Sequence, residues 1–132
     1  MQTIDKLAWV YIKDQQLLSA RSHGKTAYYL PGGKREAGES DEAALMRELK
    51  EELSIDLIPA TITYLATFQA QADGKPAGTM VQLTCYRAAF NGTISAAAEI
   101  AEVIWISHQD KARCSPATQL LLDWLKAAEL IT

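Results

Sequence analysis

The stretch Gly33–Ile55 reads Gly-Lys-Arg-Glu-Ala-Gly-Glu-Ser-Asp-Glu-Ala-Ala-Leu-Met-Arg-Glu-Leu-Lys-Glu-Glu-Leu-Ser-Ile and contains the most helical segment of the chain. We predict that a helix begins after Ser40, because serine is a favoured N-cap residue, and that it ends near Leu53. Asp41 and Glu42 put negative charge in the first turn, where the helix dipole favours it. Most of this stretch is therefore one helix with a loop before it.

One side of this predicted helix is acidic and the neighbouring side is apolar. With 3.6 residues per turn, Glu48, Glu51 and Glu52 share a sector roughly 100° wide. The adjoining apolar sector holds Leu45, Leu49 and Leu53, with Met46 beside them. Carboxylates three and four residues apart repel one another, and a divalent cation such as Mg²⁺ would offset that repulsion. The alternative is a solvated acidic face tempered by Arg47 and Lys50.

The loop before the helix favours the metal-site interpretation. It contains three glycines, Gly32, Gly33 and Gly38, and one further carboxylate close to the helix, Glu39. Glycine lets the backbone approach other groups closely, so a carbonyl can join a metal site or an amide can face a phosphate. An ordinary turn is the alternative explanation for Gly32 and Gly33 taken alone.

The spacing of these residues resembles that of a known family. Read from Gly33, five residues precede Glu39, seven more precede Arg47-Glu48-Leu49, and one more precedes Glu51-Glu52. This pattern resembles the Nudix box, Gx5Ex7REUxEExGU with U aliphatic, and departs from it only at Ser54, where the box has glycine. On this resemblance the chain is identified as a compact MutT-like member of the Nudix family. At Ser54 we expect either a strained helix end or a different turn, with the metal site unaffected.

The resemblance implies a loop–helix–loop that binds Mg²⁺ or Mn²⁺ and activates water for attack on a phosphoanhydride. The residues that it implies as metal ligands are Gly32, through its carbonyl, and Glu48, Glu51 and Glu52. Glu48 is either a further ligand or the general base. Arg47 is expected to orient the carboxylates through charge-assisted hydrogen bonds, and Gly33 and Glu39 to support the loop–helix junction.

Further candidates lie outside the box. Family members often take an additional ligand or base from a later loop, and the spacing favours Glu99 over Glu102 for that role. A solvated loop acid is the alternative for both. Arg21, Lys25 and Tyr28 are candidates for substrate binding, with a solvated basic loop or core packing as their alternatives.

Apolar periodicity predicts the remaining elements. The predicted strands are Leu7–Ile12, Leu17–Arg21, Tyr28–Leu30, Ile62–Gln71, Thr79–Phe90 and Val103–Ile106, and Pro31–Gly33 is expected to interrupt regular structure. A second helix is expected after Ser115-Pro116, with Trp124 in the core. We therefore expect an α/β protein in which residues 1–132 form a single domain. The family resemblance specifies an α/β/α sandwich, a mixed curved sheet with the box helix and the C-terminal helix packed on it.

The composition and charge of the chain argue against some classes of function. The net charge of −3 argues against a non-specific nucleic-acid binder, and no apolar run approaches the ~20 residues of a membrane span. The first residues lack the features of a signal peptide, and Cys85 and Cys114 are expected to be reduced and buried. We expect a cytoplasmic monomer or homodimer that acts on a small nucleotide and binds neither nucleic acid stably nor a membrane.

Three functions fit these observations. The leading hypothesis is an enzyme that cleaves a phosphoanhydride bond in a nucleoside di- or triphosphate, or in a nucleoside diphosphate linked to another moiety. The first alternative is a Nudix-fold module that binds a nucleotide metabolite without turnover. The second is a hydrolase of a non-nucleotide diphosphate, such as an isoprenoid or inositol species. The intact acidic set favours an enzyme over the binding module.

Overall fold

The computed structural model describes residues 2–132. Its strands are β1 (Gln2–Trp9), β2 (Ile12–Lys13), β3 (Gln16–Ser22), β4 (Gly32–Gly33), β5 (Asp56–Leu57), β6 (Thr63–Gln71), β7 (Thr79–Arg87), β8 (Phe90–Asn91) and β9 (Ile100–Ile106). Its α-helices are α1 (Asp41–Leu53) and α2 (Pro116–Ala127), and 3-10 turns occupy Pro59–Thr61 and His108–Arg113.

The strands form a mixed sheet and two smaller antiparallel sheets. The largest sheet has the order β4-β1-β7-β6, in which β1 and β7 are parallel and the outer pairs are antiparallel. A second sheet has the order β2-β3-β9, and β5 pairs with β8. The predicted mixed α/β architecture with curved sheets is confirmed.

Alternation along β1 separates the core into two layers. Leu7 and Trp9 pack in one apolar cluster with the buried leucines of α1, which are Leu45, Leu49 and Leu53. Ala8 and Val10 belong to the opposite cluster, together with Leu121, Leu122 and Leu125 of α2. Because successive strand residues point to opposite faces, one strand contributes core residues to the packing of both helices. The helices therefore lie on the two sides of the sheets, as the predicted sandwich requires.

Helix α1 has the predicted bounds and caps. The Ser40 side chain accepts a hydrogen bond from the amide of Ala43 at 3.2 Å, and acidic residues occupy the first turn. At the other end Ser54 adopts the left-handed region, with φ 61° and ψ 30°. Of the two outcomes expected at this position, the structure has the strained one. Its amide still donates to the carbonyl of Lys50, so the helix ends as it would with glycine there.

Several elements differ from the predictions. Gly32–Gly33 does not interrupt the sheet but forms β4, because it lies flat against Leu7 and Ala8. Tyr28 and Tyr29 make only isolated bridges instead of a strand. β1 begins at Gln2 rather than Leu7, because its pairing with β7 extends over its full length. β9 likewise begins at Ile100.

The C-terminal helix is less buried than its pattern predicted. Trp124 was expected in the core, but it and Leu120 are each 39% exposed. They lie one turn apart on the side of α2 away from the sheet, and Leu121 and Leu125 fill the inward positions instead. Both cysteines are free and buried, as expected. Neither α1 nor α2 has the length and apolar character of a membrane-spanning helix, and residues 2–132 contain no other candidate.

Replacing Ser54 by glycine tests the strain at the end of α1. We expect Ser54→Gly to raise the free energy of unfolding by about 0.5–1 kcal/mol, because glycine adopts positive φ without the cost that other residues bear. Urea denaturation followed by circular dichroism measures the change. Ser95→Gly makes the same substitution in an exposed loop residue that is not at positive φ, and we expect it to give no gain. Equal effects of the two substitutions would contradict the assignment of strain to Ser54.

Candidate active site

The loop before α1, the helix itself and the loop before β9 meet at a cavity of about 430 Å³. Gly32 and Gly33 lie along its wall, beside the side chains of Glu48, Glu52 and Glu99. All five of these residues are among the site residues predicted from the sequence. The fold thus brings together residues that are up to 67 positions apart, from Gly32 to Glu99.

The three glutamates form a cluster in which one carboxylate oxygen of each lies within 4.8 Å of the others. Glu52 is only 4% exposed and accepts a hydrogen bond from the Gly32 amide at 3.1 Å. Burial, and then the neighbouring carboxylates of Glu48 and Glu99, raise the pKa of Glu52 to about 9, against the opposing effect of the Gly32 hydrogen bond. A buried carboxyl with this pKa holds a proton at neutral pH unless a cation replaces it.

The two adjacent glycines explain how the carboxylates come so close to the backbone. A Cβ atom at Gly32 would lie 2.0 Å from the carbonyl oxygen of Leu7, and one at Gly33 would lie 2.6 Å from Cδ of Glu48. Gly32 also has φ +145°, a conformation that residues with a side chain rarely adopt. At Gly32 a side chain would collide with the backbone of β1, so this position requires glycine. At Gly33 a side chain would displace the carboxylate end of Glu48 from the cluster.

Arg47 connects the loop to the acidic helix. Its guanidinium donates to Glu39 at 2.8 and 2.9 Å, to Glu48 at 2.8 Å and to the carbonyl of Lys34 at 3.0 Å. The hydrogen bonds from Arg47, followed by one from the Glu36 amide, lower the pKa of Glu39 to about 2. Arg47 thus contacts both Glu48 and Glu39 at the junction between the loop and α1, and its orienting role stays a prediction.

Other candidates lie apart from the cluster. Glu51 is half exposed and lies 3.5 Å from Arg47, outside the group formed by Glu48, Glu52 and Glu99. Glu102 binds Arg21 at 2.9 Å and Tyr28 at 2.5 Å. The substrate-binding candidates Arg21 and Tyr28 therefore have a partner within the protein, whereas the third candidate, Lys25, lines the cavity.

Sequence reasoning missed several residues of the cavity wall. Lys6, Asp73 and Lys75 line it, as do the buried hydroxyls of Ser115 and Thr118. Their positions depend on tertiary packing, which brings β1, the β6–β7 loop and the start of α2 to one place. Among these residues, only Lys6 has a feature in the sequence that could have pointed to it, because it interrupts the apolar alternation of β1.

Comparisons with known proteins agree with this geometry. The protein-family model of the NUDIX domain matches residues 5–125 of the chain. No curated protein matches the chain significantly. The solution structure of the E. coli ORF135 protein is 30% identical with a TM-score of 0.74, and the alignment covers 97% of this chain and 94% of that one.

Two MutT structures are similar at lower identity. One, from work on Aliivibrio salmonicida and Vibrio cholerae MutT, is 23% identical with a TM-score of 0.70, covering 96% of this chain and 99% of that one. A MutT NUDIX hydrolase from Burkholderia pseudomallei is 24% identical with a TM-score of 0.67, covering 83% and 86%. The chain belongs to the Nudix family, as its box indicated.

The buried carboxyl of Glu52 predicts a pH-dependent stability in the metal-free protein. Its pKa is about 9 in the folded state against 4.5 for the ordinary group, so its contribution to stability is complete below pH 4.5 and declines as pH rises towards 9. Glu52→Gln cannot ionise. We therefore expect the Tm of Glu52→Gln, minus that of the wild type, to grow from pH 5 to pH 8 in the presence of a chelator.

Thermal denaturation across this pH range measures the difference. Glu42→Gln is the matched control, since Glu42 is an exposed acid on the same helix. A constant Tm difference for Glu52→Gln at all pH values would show that Glu52 is not held protonated. Addition of Mg²⁺ is expected to raise the Tm of the wild type more than that of Glu52→Gln.

Proposed function

We propose that this Nudix protein hydrolyses a phosphoanhydride bond in a nucleoside di- or triphosphate, or in a nucleoside diphosphate linked to another moiety. The observation that carries the proposal is the buried Glu52 carboxyl clustered with Glu48 and Glu99 at the wall of a cavity. A cavity of about 430 Å³ is within the usual size range of small-molecule sites. Family membership supports a hydrolase acting on pyrophosphate bonds.

The carboxylates fit a divalent cation, Mg²⁺ or Mn²⁺. Three oxygen donors within 4.8 Å of one another suit a hard cation. Burial, and then the neighbouring carboxylates, raise the pKa of Glu52 when no cation is bound. Glu48, Glu52 and Glu99 would hold the cation, with the Gly32 carbonyl as a further proposed ligand. When bound, such an ion polarises a phosphoryl oxygen and lowers the pKa of a water molecule.

The protein's own groups would orient this chemistry. Arg47 restrains Glu48 through a 2.8 Å hydrogen bond, and the Gly32 amide restrains Glu52. Glu48 is proposed either as a ligand or as the base that accepts a proton from the attacking water. Glu51 is also retained as a proposed ligand, and this role requires its exposed side chain to turn away from Arg47.

We further propose that residues 1–132 act as one domain on a small nucleotide. The two apolar clusters share strand β1 and therefore stabilise one another, which supports a single folding unit. The family model spans most of the same residues.

A substrate panel tests the proposed activity. The panel comprises nucleoside di- and triphosphates, nucleoside diphosphate sugars and an isoprenoid diphosphate, each assayed with Mg²⁺ and with Mn²⁺ for release of phosphate or pyrophosphate. We expect metal-dependent hydrolysis of at least one nucleotide, and a loss of at least about 100-fold in kcat for Glu52→Gln. Glu42→Gln serves again as the control.

The outcomes of the panel separate the candidate functions. Hydrolysis of the isoprenoid diphosphate alone would contradict a nucleotide substrate. Tight binding of a nucleotide without turnover would favour a binding module. Full activity in Glu52→Gln on the best substrate would refute the proposed metal site.

The two acids near β9 give a separate prediction. Glu99 is in the carboxylate cluster, while Glu102 is bound to Arg21 and Tyr28. We expect Glu99→Gln to raise the Mg²⁺ concentration that gives half-maximal activity by at least about tenfold, because it removes a proposed ligand. Glu102→Gln should change this concentration by less than about twofold. Titration of activity with Mg²⁺ measures both, and the reverse order would transfer the ligand role to Glu102.

A further inference from the structure

Strand β1 carries a lysine where its pattern calls for an apolar residue. Ile4, Ala8 and Val10 belong to the apolar cluster on the α2 side of the sheet, and Lys6 shares their face by alternation. Lys6 is only partly exposed and lines the cavity that also holds the carboxylate cluster. Removing a lysine ammonium group from water costs free energy unless a hydrogen-bond or charge partner offsets the loss.

Lys6 is one of four lysines that meet at this cavity. The others are Lys25 in the loop after β3, Lys34 directly after β4, and Lys75 in the β6–β7 loop. The chain has eight lysines, so half of them line one cavity of a protein whose net charge is −3. We call Lys6, Lys25, Lys34 and Lys75 the lysine set.

The lysine set is not used in ion pairs. Within residues 2–132, the salt bridges of lysine involve only Lys50 and Lys111, and none joins a member of the set to a carboxylate within 4 Å. Lys6 is near Glu52 but does not pair with it. Burial, followed by the positive charges of Lys34 and Lys75, lowers the pKa of Lys6. The protein thus holds crowded positive charges without a partner of its own.

The charge balance of the cavity indicates what would bind. The four ammonium groups equal in number the four carboxylates of the wall, which are Glu48, Glu52, Glu99 and Asp73. A divalent cation at the carboxylate cluster therefore leaves the cavity positive. The attraction to a ligand then grows with the ligand's negative charge, so that a triphosphate gains more than a diphosphate ester.

We propose that Lys6, together with Lys25 and Lys75, binds a phosphate of the substrate that a cation at the carboxylate cluster does not hold, and so selects a triphosphate chain. Lys34 adjoins the loop before α1 and serves the phosphates nearest the cluster. This proposal rests on the proposed function, because it takes the carboxylate cluster to be where the phosphoanhydride lies. It assigns the choice of substrate to residues outside the box.

Binding of non-hydrolysable inorganic analogues tests the proposal directly. Calorimetry in the presence of Mg²⁺ compares imidotriphosphate with imidodiphosphate, each binding to the wild-type protein and to Lys6→Met, Lys6→Arg and Lys75→Met. We expect the wild type to bind imidotriphosphate at least about tenfold more tightly than imidodiphosphate, since each charge-assisted hydrogen bond contributes about 10- to 100-fold. Lys6→Met should reduce this preference to less than about threefold, while Lys6→Arg preserves most of it.

The controls separate binding from folding. Lys13→Met replaces an exposed lysine of β2 outside the cavity and is expected to keep the wild-type preference. Lys75 is exposed in a loop, so Lys75→Met tests the subsite even if Lys6→Met lowers the Tm. Equal binding of the two analogues by the wild type, or an unchanged preference in both Lys6→Met and Lys75→Met, would overturn the proposal.

The same variants distinguish this proposal from the proposed function. A wild-type protein that binds imidotriphosphate through Lys6 but hydrolyses no nucleotide would refute the activity and leave the subsite supported. A protein that hydrolyses nucleoside diphosphate sugars as fast as triphosphates, with kcat/KM values unaffected by Lys6→Met, would retain the activity and refute the subsite.

Discussion

The pairing of Gly32–Gly33 with Leu7 and Ala8 of β1 is the constraint on which the site depends. It brings Gly32 so close to β1 that no side chain fits there, and the absence of a side chain at Gly33 leaves room for the Glu48 carboxylate. The same pairing directs the Gly32 amide towards Glu52. Because α1 packs its leucines on the opposite side of β1 from α2, the helix cannot shift without disturbing the core. Backbone proximity and core packing together hold an energetically unfavourable group of carboxylates in place.

The features that sequence alone predicted are those set by local interactions. The N-cap at Ser40 and the bounds of α1 follow from caps, charges and periodicity along a single segment, whereas the left-handed Ser54 is one of two outcomes that the sequence left open. The spacing within the box also predicted that Glu48 and Glu52 share a face of the helix, because they are four residues apart, and both lie in the carboxylate cluster. Glu51, predicted in the same sector, lies outside the cluster. Glu99 was favoured over Glu102 by resemblance, and the fold brings Glu99 into the carboxylate cluster.

The features that sequence reasoning missed depend on contacts between distant segments. Gly32–Gly33 forms a strand because β1 supplies the hydrogen-bonding edge, and nothing in the two residues themselves favours extended structure. Trp124 is exposed because Leu121 and Leu125 fill the inward positions of α2, and the apolar pattern alone did not distinguish these positions from that of Trp124. Lys75 lies in the cavity wall because the β6–β7 hairpin brings its loop there. The length and direction of that loop cannot be predicted from the acidic helix.

The β6–β7 loop has a consequence for how such proteins diverge. It carries Asp73 and Lys75 on exposed backbone between two long, well-paired strands, so insertions or substitutions there leave the sheet intact. The helix that holds the carboxylates has no such freedom, since its inward leucines are fully buried. Substitutions in the proposed substrate-binding loop can therefore accumulate while the proposed metal-binding helix stays unchanged. A scaffold of this kind can give rise to enzymes that share one reaction and differ in substrate specificity.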